Sequence, residues 1–260
     1  MTAPTRRIGA WVDRRGVGPE WRRWLDIATH VGLTDVSLVL HAQDAGKPLA
    51  PFATAAKVAE IVRAYAAAGI SPHVMFWPQP RRQHAESLLG YLADVHAQSE
   101  GALVSAELDV EEQWTRSAWR LMFGGAVARQ LRAGWPTGLP MAVNGITAAL
   151  PKFEALARLA DVLIPQAYTS TRKGQGAEPG TRQRVVAATW RPLLRAGGEL
   201  AMGLAAYDQQ GAGGHAAADA MRLAFNAAAA ESSRIMYWSL PELVSGPEAD
   251  FVRARCKESA

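Results

Sequence analysis

Three carboxylates recur at every second position of one short stretch: Glu107, Asp109 and Glu111, within Ala102-Leu-Val-Ser-Ala-Glu-Leu-Asp-Val-Glu-Glu-Gln-Trp114. The stretch begins as an apolar, β-prone run. In a strand, alternate side chains share one face, roughly 6.5–7 Å apart, so Leu108 and Val110 would point the other way. Burying three acids on one face is costly, because each charge loses its hydration. A strand running out into solvent would simply leave them wet. Held together instead, like charges push at least one pKa upward, which yields a proton donor beside an anion. Cleavage of a glycosidic bond needs that pairing.

The rest of the chain alternates strand and helix. Ile8–Asp13 reads as a buried strand ending in an acid. Pro19–Val31 reads as a helix, with Trp21, Trp24, Leu25 and Ala28 at helical spacing, Pro19 suiting its first turn and Gly32 its stop. Further strands are expected at 35–40, 71–77, 139–144, 161–168, 199–205 and 234–240, with the acidic strand fourth in order. Helices are expected at 52–68, 82–98, 115–133 (Trp119, Met122, Phe123 and Val127 on one side), 148–159, 181–195, 215–230 and 248–256. His41–Pro51, the Gly-, Lys- and Arg-rich Thr169–Gly180, and Tyr207–Gly214 read as loops. Near-continuous apolar strands belong to a parallel sheet buried on both faces. About eight strand–helix units fit a single (β/α)8 TIM barrel of the α/β class spanning residues 1–260. A doubly wound open sheet is the competing architecture. It lacks its Gly-rich phosphate fingerprint here, since Arg14-Arg-Gly-Val-Gly18 does not match one.

A barrel collects its chemistry at the C-terminal ends of its strands. Those ends carry Asp13, His41, Trp77, Asp109, Glu111, Asn144, Gln166, Tyr168, Tyr207 and Trp238. Aromatic faces stack on sugar rings, while amides and acids bind hydroxyls. Taken singly, Asp13 could cap the next turn, Trp77 and Trp238 could be core, and Gln166 and Tyr168 could satisfy each other. Their coincidence at one rim favours a site. The histidines show no zinc-binding spacing, so neither a metal nor another cofactor is expected.

Composition narrows the classes. The 260 residues are 49% hydrophobic and 20% charged, as in a globular protein with a sizeable core. A net charge of +4 weakly favours an anionic partner. The basic residues are scattered without a recognition motif, which argues against nucleic acid as the partner. Cys256 stands alone, so no intrachain disulfide can form. No run approaches about 18 apolar residues, and no signal peptide is recognisable, so cytoplasmic synthesis away from the membrane is expected. A barrel of phosphate metabolism would need Gly-rich loops after its seventh and eighth strands, and Gly211-Ala-Gly-Gly214 is one such loop.

Glu107-Leu-Asp-Val-Glu111 is similar to the acidic strand of family-18 glycoside hydrolases, the chitinase and endo-N-acetylglucosaminidase group, with Glu107 where that family has Asp. Pro165-Gln-Ala-Tyr168 resembles their sixth-strand Met/Gln-x-Tyr, with Thr169 in place of the acid or amide that follows, and Met236-Tyr-Trp-Ser-Leu240 resembles their last strand. Asp109-Val-Glu111, with Asp13 after the first strand, also resembles the family-25 lysozymes, where Asp-Val-Ser stands in place of Asp13-Arg-Arg. The resemblance implies that Glu111 is the proton donor and that Asp109 orients and polarises the substrate N-acetyl group, whose oxygen attacks the anomeric carbon. It implies that Tyr168 holds that acetamide with Asn144 or Gln166, that Trp238 floors the −1 sugar and Trp77 a neighbouring subsite, and that Asp13 and Glu107 tune the donor. Asp13 is alternatively a base across the mouth, and Tyr207 a further substrate contact. The small, basic chain without a recognisable signal favours as substrate peptidoglycan or a related GlcNAc-containing polysaccharide, reached after release by a monomeric endolysin-type enzyme. Chitin-type oligosaccharides come second. A non-catalytic sugar-binding barrel would keep the aromatics without the acid, yet Glu111 is present.

Overall fold

The computed structural model describes residues 6–41, 49–111, 113–114, 118–170 and 178–259, with the side chains of 118–123 left aside. The middle of the loop expected at 41–51, most of that at 169–180, and the side chains of Trp119, Met122 and Phe123 therefore lie outside the described residues.

Eight parallel strands close into a barrel in chain order. They are β1 (Arg7–Val12), β2 (Asp35–Val39), β3 (Ser71–Phe76), β4 (Ser105–Val110), β5 (Met141–Gly145), β6 (Val162–Pro165), β7 (Glu199–Ala205) and β8 (Arg234–Trp238). Around them run α1 (Trp21–Val31), α2 (Ala55–Ala67), α3 (Arg82–Gln98), α4 (Ala118–Ala133), α5 (Leu150–Ala157), α6 (Thr181–Trp190), α7 (Ala217–Glu231) and α8 (Pro247–Ser259). The expected (β/α)8 architecture is the one observed.

Alternation along each strand divides the core in two. Val12, Leu38, Phe76, Leu108 and Val110 point outward to the helices, meeting residues such as Leu88, Leu92 and Trp190. Each large apolar side chain so buried contributes about 1.5–3 kcal/mol. Trp11, Val39, Met75, Ala142, Ile164 and Met236 point inward. Local signals set the helix ends. Gly32 stops α1 in the left-handed region at φ 85°, where a Cβ would be strained, and Thr54 caps α2 by accepting from the Lys57 N–H.

Two strands stop two or more residues before their expected ends. Pro165 has no N–H to give, so the β6–β7 ladder lapses after Leu163–Leu200 and returns only as a bridge between Gln166 and Gly203. Tyr168 thus lies beyond the strand. β8 ends at Trp238, whose peptide to Ser239 is cis, and Leu240–Leu243 forms a 3-10 turn.

The N-terminal end of the barrel is filled by polar groups. Asp35 accepts from Arg7 and bonds to His73 Nε2 at 2.9 Å, while His73 Nδ1 meets Ser105 Oγ at 2.7 Å. Arg234 lies 3.2 Å from Glu199 and 3.9 Å from Asp35. Burial alone would raise the Asp35 carboxyl. The His73 hydrogen bond and charge, then Arg7, outweigh it and hold the carboxyl well below the usual range.

Candidate active site

The acidic strand is built as its alternation suggested, with its acids in a graded setting. Glu107 is fully buried inside the barrel, Asp109 is partly exposed at the mouth, and Glu111 stands one residue past the strand, also partly exposed. Register fixes their neighbours: Asp109 pairs with Asn144, and Glu107 with Met75 on one side and Ala142 on the other.

A chain of hydrogen bonds crosses the interior from the first strand to the acid pair. The Trp11 indole N–H donates to Glu107 Oε2 at 2.8 Å, and Asn144 Nδ2 approaches the same oxygen at 3.4 Å. Gln166 Nε2 donates to Asn144 Oδ1 at 3.3 Å and to Asp109 Oδ1 at 3.2 Å. Asp109 and Glu111 are held from behind by Gln113, which accepts from the Glu111 N–H at 3.1 Å and donates to the Asp109 carbonyl at 2.7 Å. Burial first, then the charges on Glu111 and Glu107, raise the Asp109 carboxyl well above its ordinary value.

Tyr168 completes this group. Burial and the charges of Asp109 and Glu111 keep its hydroxyl neutral, raising it well above the usual phenol range. Its ring meets Tyr207 edge-on at 6.5 Å, and Trp238 lies tilted against Trp11 at 6.1 Å. The mouth therefore offers neutral donors, amides and aromatic faces around one acid cluster, a setting that can bind a neutral polyol and pass it a proton.

The structure has likenesses among solved structures. A chitinase from Bacteroides thetaiotaomicron superposes with a TM-score of 0.70 at 9% identity, covering 98% of this chain and 96% of that one. The Bacillus cereus spore cortex-lytic enzyme SleL gives 0.69 at 10% identity, covering 98% and 75%. The GH18 chitinase ChiB from the chitin utilization locus of Flavobacterium johnsoniae gives 0.61 at 10% identity, covering 98% and 95%. The likeness is one of fold. No protein-family model and no curated protein matches the sequence.

Other expected residues stand just past the ends of their strands. Asp13 accepts from the Arg15 backbone N–H at 2.9 Å and from its guanidinium at 2.8–3.0 Å, so it caps the 3-10 turn Arg14–Val17. Burial would raise this carboxyl, but Arg15's hydrogen bonds and charge outweigh it and lower it. This ties Asp13 to its own turn, the capping role the sequence left open. Trp77 stands partly exposed at the end of β3, its indole N–H unpaired among the described residues. His41 is buried, with its ring 5.2 Å from that of His84.

The Gly-rich loop after β7 is folded on itself. The N–H groups of Gly211, Ala212, Gly214 and His215 donate to the carbonyls of His215, Gln209, Gly211 and Ala212. Donors so engaged cannot cradle a phosphate. Among the described residues no three His, Cys, Asp or Glu side chains are placed to hold a metal ion, and no helix is long and apolar enough to cross a membrane.

Sequence reasoning missed Trp11. A tryptophan inside an apolar strand reads as core, and its partner Glu107 lies 96 residues away. The pairing of an indole donor with a buried acid becomes visible only once the barrel closes.

Proposed function

We propose that this protein is a glycoside hydrolase acting on N-acetylhexosamine-containing wall polysaccharide, peptidoglycan foremost, as a lysozyme of the endolysin type. Asp109 carries the reading: a carboxyl raised by burial and by an acid on either side, at the C-terminal mouth of a barrel. Glu111 protonates the leaving oxygen. Asp109 accepts from the acetamide N–H through a carboxyl oxygen, which turns the carbonyl oxygen toward the anomeric carbon and leaves it free to attack. The acetamide oxygen attacks the anomeric carbon as the glycosidic bond breaks, and ionised Glu111 then takes a proton from the water that opens the cyclic intermediate. Tyr168, with Asn144 or Gln166, holds the acetamide. Trp238 floors the reacting sugar, Trp77 and Tyr207 contact its neighbours, and Glu107, anchored by Trp11, sets the field around Asp109.

In this reading the protein works as a monomer on the wall after its release. The shared fold with a spore cortex-lytic enzyme supports the substrate class. The chitinases of the same fold favour chitin-type oligosaccharides as the second reading. Mass spectrometry of fragments decides between them. Reducing MurNAc ends from purified peptidoglycan mark a muramidase, reducing GlcNAc ends a glucosaminidase, and products from chitin oligomers alone would contradict the wall assignment.

A further inference from the structure

The connection from β3 to α3 carries two arginines that the proposed chemistry does not use. Arg81 and Arg82 edge a groove of about 530 Å³ between the start of α3 and the middle of α4, within the size range of small-ligand sites. Pro80, Ala126 and Val127 give it an apolar floor, and Gln130 lies alongside. Both arginines are exposed. Arg82 is paired with Glu86 at 3.0 Å, while Arg81 has no ion pair among the described residues. Among the described residues no acid lines the groove, and Glu86, which pairs with Arg82, borders it. Guanidinium charge above an apolar floor, with an amide beside it, complements a peptide that carries carboxylates.

Hydrogen bonds tie this groove to the acid cluster. The Trp114 indole N–H donates to the Pro78 carbonyl at 2.9 Å, and its backbone N–H donates to the Glu111 carbonyl at 3.1 Å. The segment bearing Glu111 and the connection bearing Arg81 are thus held together. Across the groove, Gln130 Nε2 donates to the Arg82 carbonyl at 3.4 Å and to Glu86 at 3.3 Å, which keeps α4 against α3. A polymer lying over the acid cluster and past Trp77 would bring its side branches to Arg81.

We propose that this groove binds the short acidic peptide branches of a wall glycan, and so selects peptide-bearing strands over bare chitin-type chains. The glycan part rests on the glycosidase reading; the peptide part rests on the groove alone. A bare chain of N-acetylglucosamine carries no carboxylate and leaves Arg81 to water.

The test titrates the full chain with the soluble peptide N-acetyl-L-Ala-γ-D-Glu-L-Lys, acylated at its amine as a wall branch is, by calorimetry, comparing wild type, Arg81→Glu and Arg81→Lys. Matching circular dichroism spectra establish that this exposed residue leaves folding intact. Wild type binds, Arg81→Glu weakens binding by about tenfold or more, Arg81→Lys weakens it less, and salt weakens it further. In parallel, wild type cuts peptide-bearing glycan faster than amidase-stripped glycan, and Arg81→Glu brings that ratio toward one. No binding by wild type, or equal binding by wild type and Arg81→Glu, overturns the groove assignment. Equally tight binding of inorganic phosphate overturns the peptide as its ligand. Expected peptide binding without cleavage of any glycan would sink the glycosidase reading and leave the groove standing. Cleavage of both glycans at ratios that Arg81→Glu does not alter would do the reverse.

Discussion

Trp11 on β1 and Glu107 on β4 meet across the barrel interior, the indole N–H donating to Glu107 Oε2 at 2.8 Å with both side chains buried. The contact continues through Asn144 and Gln166 to Asp109, so amides link the inner acid to the outer one. Trp11→Phe keeps the bulk of the ring and removes the donor. Leaving a buried acceptor underpaired costs about 1–3 kcal/mol, which a lower urea midpoint with unchanged slope would report. An unchanged midpoint would show that the contact contributes nothing.

Asp109 trades stability for chemistry. Its folded carboxyl lies above its unfolded value of about 3.9, so between those two values the native state holds a proton that the unfolded chain has lost. Stability then falls as pH rises through that window. Asp109→Asn removes the dependence, so the variant melts at a higher temperature than wild type at pH 7 and loses about 100-fold or more in activity. Thermal melts across pH 4–8 check the first expectation and wall-lysis rates the second. A variant less stable at every pH would contradict the burial argument.

Asp35 gives the opposite sign. His73 and Arg7 lower its carboxyl, so its contribution is full above its unfolded pKa and is lost as pH falls through the folded one. Wild-type melting temperature should fall on acidification below about pH 4. Asp35→Asn, which leaves His73 and Arg7 without their anion, costs about 3–5 kcal/mol near neutrality and flattens that acid limb. Equal acid slopes in the two proteins would place the titration elsewhere.

Strand order and most boundaries follow from apolar periodicity. The helix expected at 82–98 and the strand at 199–205 are α3 and β7 to the residue. The alternation of Glu107, Asp109 and Glu111 placed the acids on one face because a strand's period is local. What the sequence left hidden depends on pairs distant along the chain. Asp35, His73 and Arg234 each look like an isolated polar residue near a strand start, and only closure of the barrel brings them together. Asp13 shows the limit from the other side: its position at a strand end suits both a cap and a base, and Arg15, two residues on, takes it as a cap.

Because the N–H groups of Gly211, Ala212, Gly214 and His215 are occupied by carbonyls of the same loop, free phosphate finds none of these four donors available there. Cleavage rates should be the same with and without millimolar phosphate at constant ionic strength. Competitive inhibition would favour a phosphate-ester substrate instead.

The most direct test of the central claim is turbidity loss of purified peptidoglycan by wild type beside Glu111→Gln, a substitution that keeps the side-chain shape and removes the transferable proton. Clearing by wild type, with a loss of about 100-fold or more in the variant, is the predicted result. Equal rates for the two proteins on peptidoglycan and on chitin oligomers would contradict it.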